Sequence, residues 1–235
     1  MTEIDLYCMC LNEHHLSNIK RLGYIPVGLG NNNFSNEWLK DNTGDNISNK
    51  NPFYGEYTFY YWFWKNILPK IQKDKWIGFS GYRYHWGNSN KLSSDEINKI
   101  VNKVNFKDFI LKKVPREWEG YNLILGEKMY VDNWKLIKIL KKGKKILLKN
   151  PFAFSKKITN IKLHFDVFHG FGNLDRAIDL LDSKEKDDFR FFTQNNKSFN
   201  RENLFICRSK ELIDGYFRSV FPWLKKCESI FGQNL

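Results

Sequence analysis

Residues Ile4-Asp5-Leu6-Tyr7-Cys8-Met9-Cys10, then Asn12–Arg21, then Tyr24-Ile25-Pro26-Val27, decide the fold class. The first run is apolar at almost every position, which suits a buried strand. Asn12–Arg21 fits a short helix, and Tyr24–Val27 a second strand. A strand–helix–strand opening of this kind starts the nucleotide-binding α/β sheets. The expected architecture is therefore α/β with a mostly parallel central sheet. The chain has 235 residues without an internal repeat or a Pro/Gly/Ser-rich linker, so a single domain spanning 1–235 is expected.

Downstream, Gly28-Leu29-Gly30-Asn31-Asn32-Asn33 reads as a loop. It lacks the GxGxxG pattern and points only weakly to a phosphate-facing turn. The Asn/Asp/Gly/Ser-rich stretch on to Pro52 reads as a mobile surface loop. The densest segment follows, Phe53 to Leu68, with Glu56-Tyr57-Thr58-Phe59-Tyr60-Tyr61-Trp62-Phe63-Trp64-Lys65-Asn66 at its centre and Pro69 at its end. In a helix, Glu56, Tyr60 and Trp64 share one stripe, and Tyr57, Tyr61 and Lys65 the next. Aromatics nearly all round make this a buried helix, in which Glu56 needs a partner.

Trp76–Ser80 reads as the next strand. If extension continues to Trp86, Arg83 and His85 share one face while Tyr82, Tyr84 and Trp86 share the other. Ser94 is placed to cap a helix over Asp95–Lys103. Tyr121–Gly126 reads as a strand, Asp132–Lys142 as a helix ended by Gly143, and Lys144–Leu148 as strand or loop. The region Leu163–Asn173, with Asp166 and His169, leads into a helix over Leu174–Leu181. A last strand falls near Asn203–Cys207. Ser209 then caps an amphipathic helix carrying Leu212, Tyr216, Phe217, Val220 and Phe221, with a kink or break expected at Pro222.

Apolar residues make up 42% and charged residues 27%, a composition that excludes a disordered chain. Aromatics reach 17%, with 8 Trp, enough to line a site that grips rings as well as to fill a core. The net charge of +12 suits an anionic partner: nucleic acid, acidic lipid or a phosphate-bearing substrate. A lysine-rich solvated surface gives the same total. Cys8, Cys10, Cys207 and Cys227 show no CxxC spacing, and the N-terminus shows no signal-peptide pattern. Cys8 and Cys10 point to one face of a strand and are expected to be buried rather than bridged. Reduced thiols and a cytoplasmic location follow as expectations. No run approaches the roughly 18 apolar residues of a spanning helix, so any contact with the inner face of a membrane is expected to be peripheral.

Three blocks resemble the small bacterial capsular-polysaccharide synthesis proteins regarded as glycosyltransferases. The Glu-x-Thr-x-x-Tyr-Trp-x-Trp-Lys-Asn helix of that family is matched by Glu56, Thr58, Tyr61, Trp62, Trp64, Lys65 and Asn66. Its strand ending in Gly-x-x-His-Tyr-Arg-Arg-Tyr-Phe aligns with Gly78–Trp86, with Gly81 in place of the family His and Tyr84 in place of the second Arg. Its C-terminal Asn-x-Phe-Ile, Tyr and Trp-Leu-Phe elements look like Asn203, Phe205, Ile206, Tyr216 and Phe221-Pro222-Trp223-Leu224. His169 falls where the family tends to place a histidine before a helix. The resemblance implies a GT-A-like three-layer sandwich that binds a nucleotide at the carboxyl edge of its sheet. It implies transfer of a sugar from a nucleotide-sugar donor, such as a UDP-sugar, to a capsule or O-antigen acceptor, free or lipid-linked.

Such a reaction must stabilise a leaving nucleoside diphosphate and deprotonate an acceptor hydroxyl. The sequence shows no Asp-x-Asp after an apolar strand, and Asp187-Asp188 reads as a charged helix end or loop, so no metal ligands are assigned. A divalent ion held by residues distant in sequence remains compatible with this pattern. Arg83, whose planar fork matches phosphate oxygens, is the first candidate for the leaving group. The expected donor-binding set is Glu56, Lys65, Tyr82, Arg83, His85 and Asn203. Tyr82, Tyr84 and Trp86 are suited to stacking on a base or a sugar ring. His169 is the first candidate base, because imidazole titrates near neutral pH, with Asp166 beside it. The basic stretch Lys135–Lys149 suits either anionic lipid or a solvated helix face. The rival readings are a basic single-stranded nucleic-acid-binding module and a catalytically silent subunit of a polysaccharide assembly machine. The first requires exposed aromatics on alternating strands, whereas here they concentrate in one helix, so no nucleic-acid partner is expected.

Overall fold

In the computed structural model, which describes residues 3–87, 110–132, 141–155, 157–200 and 202–232, strand β1 (Ile4–Cys10) lies inside a six-stranded sheet. A 3₁₀ turn at Glu13–His15 and helix α1 (Leu16–Arg21) carry the chain to β2 (Ile25–Gly28). The short β3 (Leu39–Lys40) follows, then α2 (Asn51–Tyr54), α3 (Tyr57–Asn66) and β4 (Trp76–Gly81). With β5 (Leu123–Leu125) and the late strand β8 (Phe205–Cys207), the sheet order is β3-β2-β1-β4-β8-β5. β1 pairs in parallel with β2 and β4, and β2 with β3. β8 enters antiparallel between β4 and β5. The mostly parallel α/β sheet expected from the opening residues is present.

The described residues fall into two compact units, one within Met1–Gly126 and Leu204–Phe221, the other within Glu127–Asn203 and Pro222–Leu235. The first holds the sheet. Side chains alternate across it, as strand geometry requires. Leu6, Cys8, Cys10, Trp76 and Ile206 enter a core on the α1 side with Ile19, Tyr24, Phe34 and Trp38. Tyr7, Phe79 and Phe205 point the other way, against α3 and the first turns of α8 (Lys210–Phe231). Phe79 is fully buried, with its ring 4.9 Å from Tyr60, 5.1 Å from Phe63 and 4.9 Å from Phe205. All four cysteines are free, and Cys8 and Cys10 share the α1-side core as expected.

The second unit contains α4 (Lys144–Lys149), α5 (Ile161–His169), α6 (Asn173–Ile178), α7 (Ser183–Asn195) and a two-stranded ladder of β6 (Lys128–Tyr130) with β7 (Ser198–Asn200). The C-terminal part of α8 also belongs here, where Trp223 Nε1 donates to the Ala177 carbonyl at 2.7 Å. Among the described residues no helix is long and apolar enough to cross a membrane.

Several expectations need correction. The stretch to Pro52 is packed rather than a loose surface loop: Phe34, Trp38, Asp41 and Ser48 are all buried. Phe53–Leu68 is not one helix, because Gly55 at φ +53 breaks it into α2 and α3, a conformation that favours glycine. Extension stops at Gly81, where the Tyr84 N–H donates back to the Gly81 carbonyl at 3.0 Å, so Arg83 and His85 do not share a strand face. Lys144–Leu148 is helical. Asp187 and Asp188 lie inside α7. Leu212 and Tyr216 are exposed while Ile213, Phe217, Val220 and Phe221 are buried, and α8 continues through Pro222. Ser209 does cap it, accepting from the Leu212 N–H at 3.2 Å. The helices expected over Asp95–Lys103 and most of Asp132–Lys142 lie outside the described residues.

Phe79→Ala removes the ring on which three elements converge and is expected to cost about 3–5 kcal/mol of stability. Urea unfolding followed by tryptophan fluorescence checks this, and a loss below about 1 kcal/mol would contradict the packing described.

Candidate functional site

The four parallel strands all end on one edge of the sheet, at Cys10, Gly28, Lys40 and Gly81. In open α/β sheets this carboxyl edge is where ligands bind, because the loops leaving it are free to diverge. The Tyr82 N–H donates to the Met9 carbonyl at 3.1 Å, so the chain leaving β4 stays beside the chain leaving β1. This brings the Tyr82 ring within 4.7 Å of His15, whose other ring neighbour is His14 at 4.0 Å. Arg83 extends the row, with its guanidinium 4.9 Å from the Tyr82 ring centre and Nε donating to the Tyr82 hydroxyl at 2.7 Å. Asn12 shapes the start of this loop by accepting the His14 N–H at 3.3 Å. Burial first, and the neighbouring His14 second, lower the His15 pKa. The row combines planar ring faces with an exposed guanidinium, side chains whose shapes suit a ring and phosphate oxygens respectively.

A second cluster on the same edge surrounds Asp41, which has no exposed surface. Its Oδ1 accepts the Gly30 N–H at 2.8 Å and its Oδ2 the Thr58 hydroxyl at 2.6 Å. Gly30 stands at φ +70, so the tight turn after β2 needs glycine there. Burial raises the Asp41 pKa, while the hydrogen bonds from Thr58 and Gly30 oppose the rise. From Asp41 the chain runs down α3. Trp62 Nε1 donates to the Thr43 carbonyl at 2.7 Å, the Tyr61 hydroxyl to Asp45 at 3.2 Å, and Asn66 Nδ2 to the Asp45 carbonyl at 2.8 Å. The polar residues of the Glu56–Asn66 block therefore clasp the 41–45 segment.

The remaining sequence candidates scatter. Glu56 is half-buried at the start of α3 beside Tyr57 and Tyr60, whose phenols are pushed up chiefly by burial, with the Glu56 charge adding to it. Lys65 sits over the Trp64 ring at 3.6 Å on the last turn of α3, at the end of the helix away from Thr58 and Asp41. It lines a groove of about 510 Å³ with Trp64, Lys210, Asp214 and Arg218. His85 is turned back toward the core, 5.6 Å from Tyr24, and burial lowers its pKa. In the second unit, Asp166 is buried on α5, paired to Lys162 at 2.7 Å and accepting the Gly172 N–H at 3.1 Å, which makes it an anchor for the turn into α6. His169 is exposed at the end of the same helix, with its ring 4.6 Å from Phe165. Asn203 is exposed in a left-handed turn before β8, at φ +51. The structure thus joins Tyr82 with Arg83 in the first unit, while Asp166 and His169 share α5 in the second without a hydrogen bond or ion pair between them among the described residues. Among the described residues no three His, Cys, Asp or Glu side chains group as metal ligands.

Residues 6–233 match the protein family described as Domain of unknown function (DUF4422). The chain belongs to that family. No curated protein matches this DUF4422 chain. Among solved structures it is similar to the apo structure of WbbM, described as a bifunctional glycosyltransferase, at 19% identity and a TM-score of 0.48. That likeness covers 97% of this chain but 37% of WbbM, so the chain spans little more than a third of its length.

Sequence reasoning missed His15 and Asp41. The rule that ligands sit beyond strand ends pointed to the loop after Cys10, which carries the histidine pair His14-His15, and could have found the former. Asp41 carries no comparable signal, being one acid among many polar residues.

With its folded pKa raised above the ordinary 3.8, Asp41 contributes stability that is full below that value and lost as pH rises through the folded pKa. Asp41→Asn abolishes this dependence. Thermal melts at stepwise pH should show the wild type losing ground to the variant as pH rises, and a constant difference would contradict the burial.

Proposed function

We propose that this chain is a glycosyltransferase that takes a nucleotide-sugar donor and moves its sugar onto a surface polysaccharide or lipid-linked glycan. The observation that carries this reading is the His15–Tyr82–Arg83 row at the carboxyl edge between β1 and β4. An aromatic pair for a base and a guanidinium fork for a diphosphate stand side by side where a parallel sheet presents its ligand loops. In this reading Arg83 stabilises the charge that develops on the departing diphosphate, and the His15–Tyr82 faces orient the base. Asp41 keeps the adjacent loop after β2 in place through Gly30. His169, exposed at the end of α5, remains the base candidate that the sequence offers, and it stands in the second unit. Asp166 acts in this reading through the α5–α6 turn rather than on substrate. The capsule or O-antigen setting rests on the resemblance of the three sequence blocks.

Calorimetric titration with UDP, GDP and CMP, with and without Mn²⁺, tests the reading. One nucleotide is expected to bind. Arg83→Ala is expected to weaken that binding by about tenfold or more, the worth of a charge-assisted hydrogen bond. His15→Ala should weaken it through lost stacking. Failure of every nucleotide to bind the folded wild type would overturn the proposal.

A further inference from the structure

Between Asp132 and Asp166 the sequence carries ten lysines, no arginine and no carboxylate. This one segment therefore holds ten of the chain's net twelve positive charges. Its described part begins with Lys141 and Lys142, continues through α4 and closes in a series of turns to Thr159. Local bonds set its course: the Asn150 N–H donates to the Ile146 carbonyl at 2.8 Å, Ala153 to Asn150 at 3.1 Å, and Thr159 to Ser155 at 3.0 Å. Gly143, Ala153 and Thr159 face inward. The outward positions are then of two kinds. Lys141, Lys142, Lys144, Lys145 and Lys157 are exposed cations. Leu148, Phe152 and Ile158 are exposed apolar side chains, at 76%, 73% and 48%. Among the described residues the ion pairs of this region engage Lys162, and no carboxylate pairs with Lys141, Lys144, Lys145 or Lys157.

We propose that the described residues of this segment from Lys141 to Ile158 form a docking surface for an anionic lipid membrane. Large apolar side chains held out among unpaired lysines suit the boundary between headgroups and acyl chains. There the apolar groups insert while lysine stems extend back to lipid phosphates. Each lysine near such a surface adds a comparable increment of attraction. Nucleic acid fits less well, because the segment has no arginine to fork onto phosphate or stack on a base, and Leu148 and Ile158 have no ring face to offer. The inference goes beyond the transferase reading and stands without it.

The test is flotation of the full chain with phosphatidylcholine vesicles, with and without phosphatidylglycerol. Binding should require the anionic lipid and fall as salt rises from about 0.1 M to 1 M. Replacing Lys141, Lys144 and Lys145 together with Glu should weaken it at least about a hundredfold. Leu148→Ser with Phe152→Ser should also weaken it while leaving the salt dependence in place. Lys184→Glu with Lys225→Glu, the same kind of change at exposed lysines outside the segment, should leave it nearly unchanged. Circular dichroism establishes that each variant is folded. Equal binding to neutral vesicles would overturn the proposal. So would equal loss in the Lys184/Lys225 variant, or tighter binding of single-stranded RNA through the same lysines.

Discussion

The first unit depends on the packing of Phe79 against helix α3. Its ring projects from the middle of the sheet into a cage of Tyr7, Tyr60, Phe63 and Phe205. Most of these pairs meet edge-on or tilted, the arrangement that ring quadrupoles favour, so the core gains direction as well as buried area. Tyr60 passes the constraint to α8 through Phe217 at 5.7 Å. Once α3 is fixed against the sheet, its antiparallel run sets what each end can reach. The first turn meets Asp41 at the carboxyl edge, and the last turn lies at the end of the helix away from it.

That geometry reinterprets the densest sequence block. Thr58, Trp62 and Asn66 lie along one side of α3 and hold Asp41, Thr43 and Asp45 respectively. The block spends its polar atoms on ordering the loop after β3, which suits positioning residues better than substrate ligands. Trp64, on another side, donates to Asp214 at 2.8 Å and stacks on Phe221. The first turn, with Glu56 and Thr58, is the part of the block that stands where the strands deliver their loops.

What the sequence disclosed follows from what kind of interaction each part uses. β1, β2, β4 and α3 were legible because apolar burial leaves a periodic trace. The stretch from Asn31 to Pro52 was not. Asp41 and Ser48 are buried there through hydrogen bonds, and a polar residue that satisfies itself internally looks the same in sequence as one in water. The strand at Phe205–Cys207 was found, but its antiparallel insertion between β4 and β5 was not, because strand order is a matter of long-range pairing. The turn at Gly81 was hidden by aromatics that would suit a strand equally well. Of the candidate site, Tyr82 and Arg83 were legible and stand together. Lys65 on the last turn of α3 and His85 turned back toward Tyr24 have placements that neighbourhood in sequence does not disclose, because helix direction and the turn set them.

The distribution of charge limits where recognition of an anionic donor can originate. Outside the lysine segment the chain has a net charge of only about +2, since ten of the twelve positive charges lie between Asp132 and Asp166. Long-range attraction to a screened phosphate falls away within roughly 8–10 Å at physiological salt, so that segment contributes little beyond its own surroundings. In the proposed reading, a donor phosphate at the carboxyl edge is held by groups within hydrogen-bond reach of it. In the His15–Tyr82–Arg83 row Arg83 is the permanent cation, and its guanidinium is held in place by the ring and hydroxyl of Tyr82. An ion anchored by its neighbour loses little rotamer freedom when it meets a ligand, and more of each new bond then appears as affinity. Tyr82 thus serves the site twice, by facing His15 and by presenting Arg83. Substitution of Tyr82 should consequently disturb phosphate binding even where no base is attached.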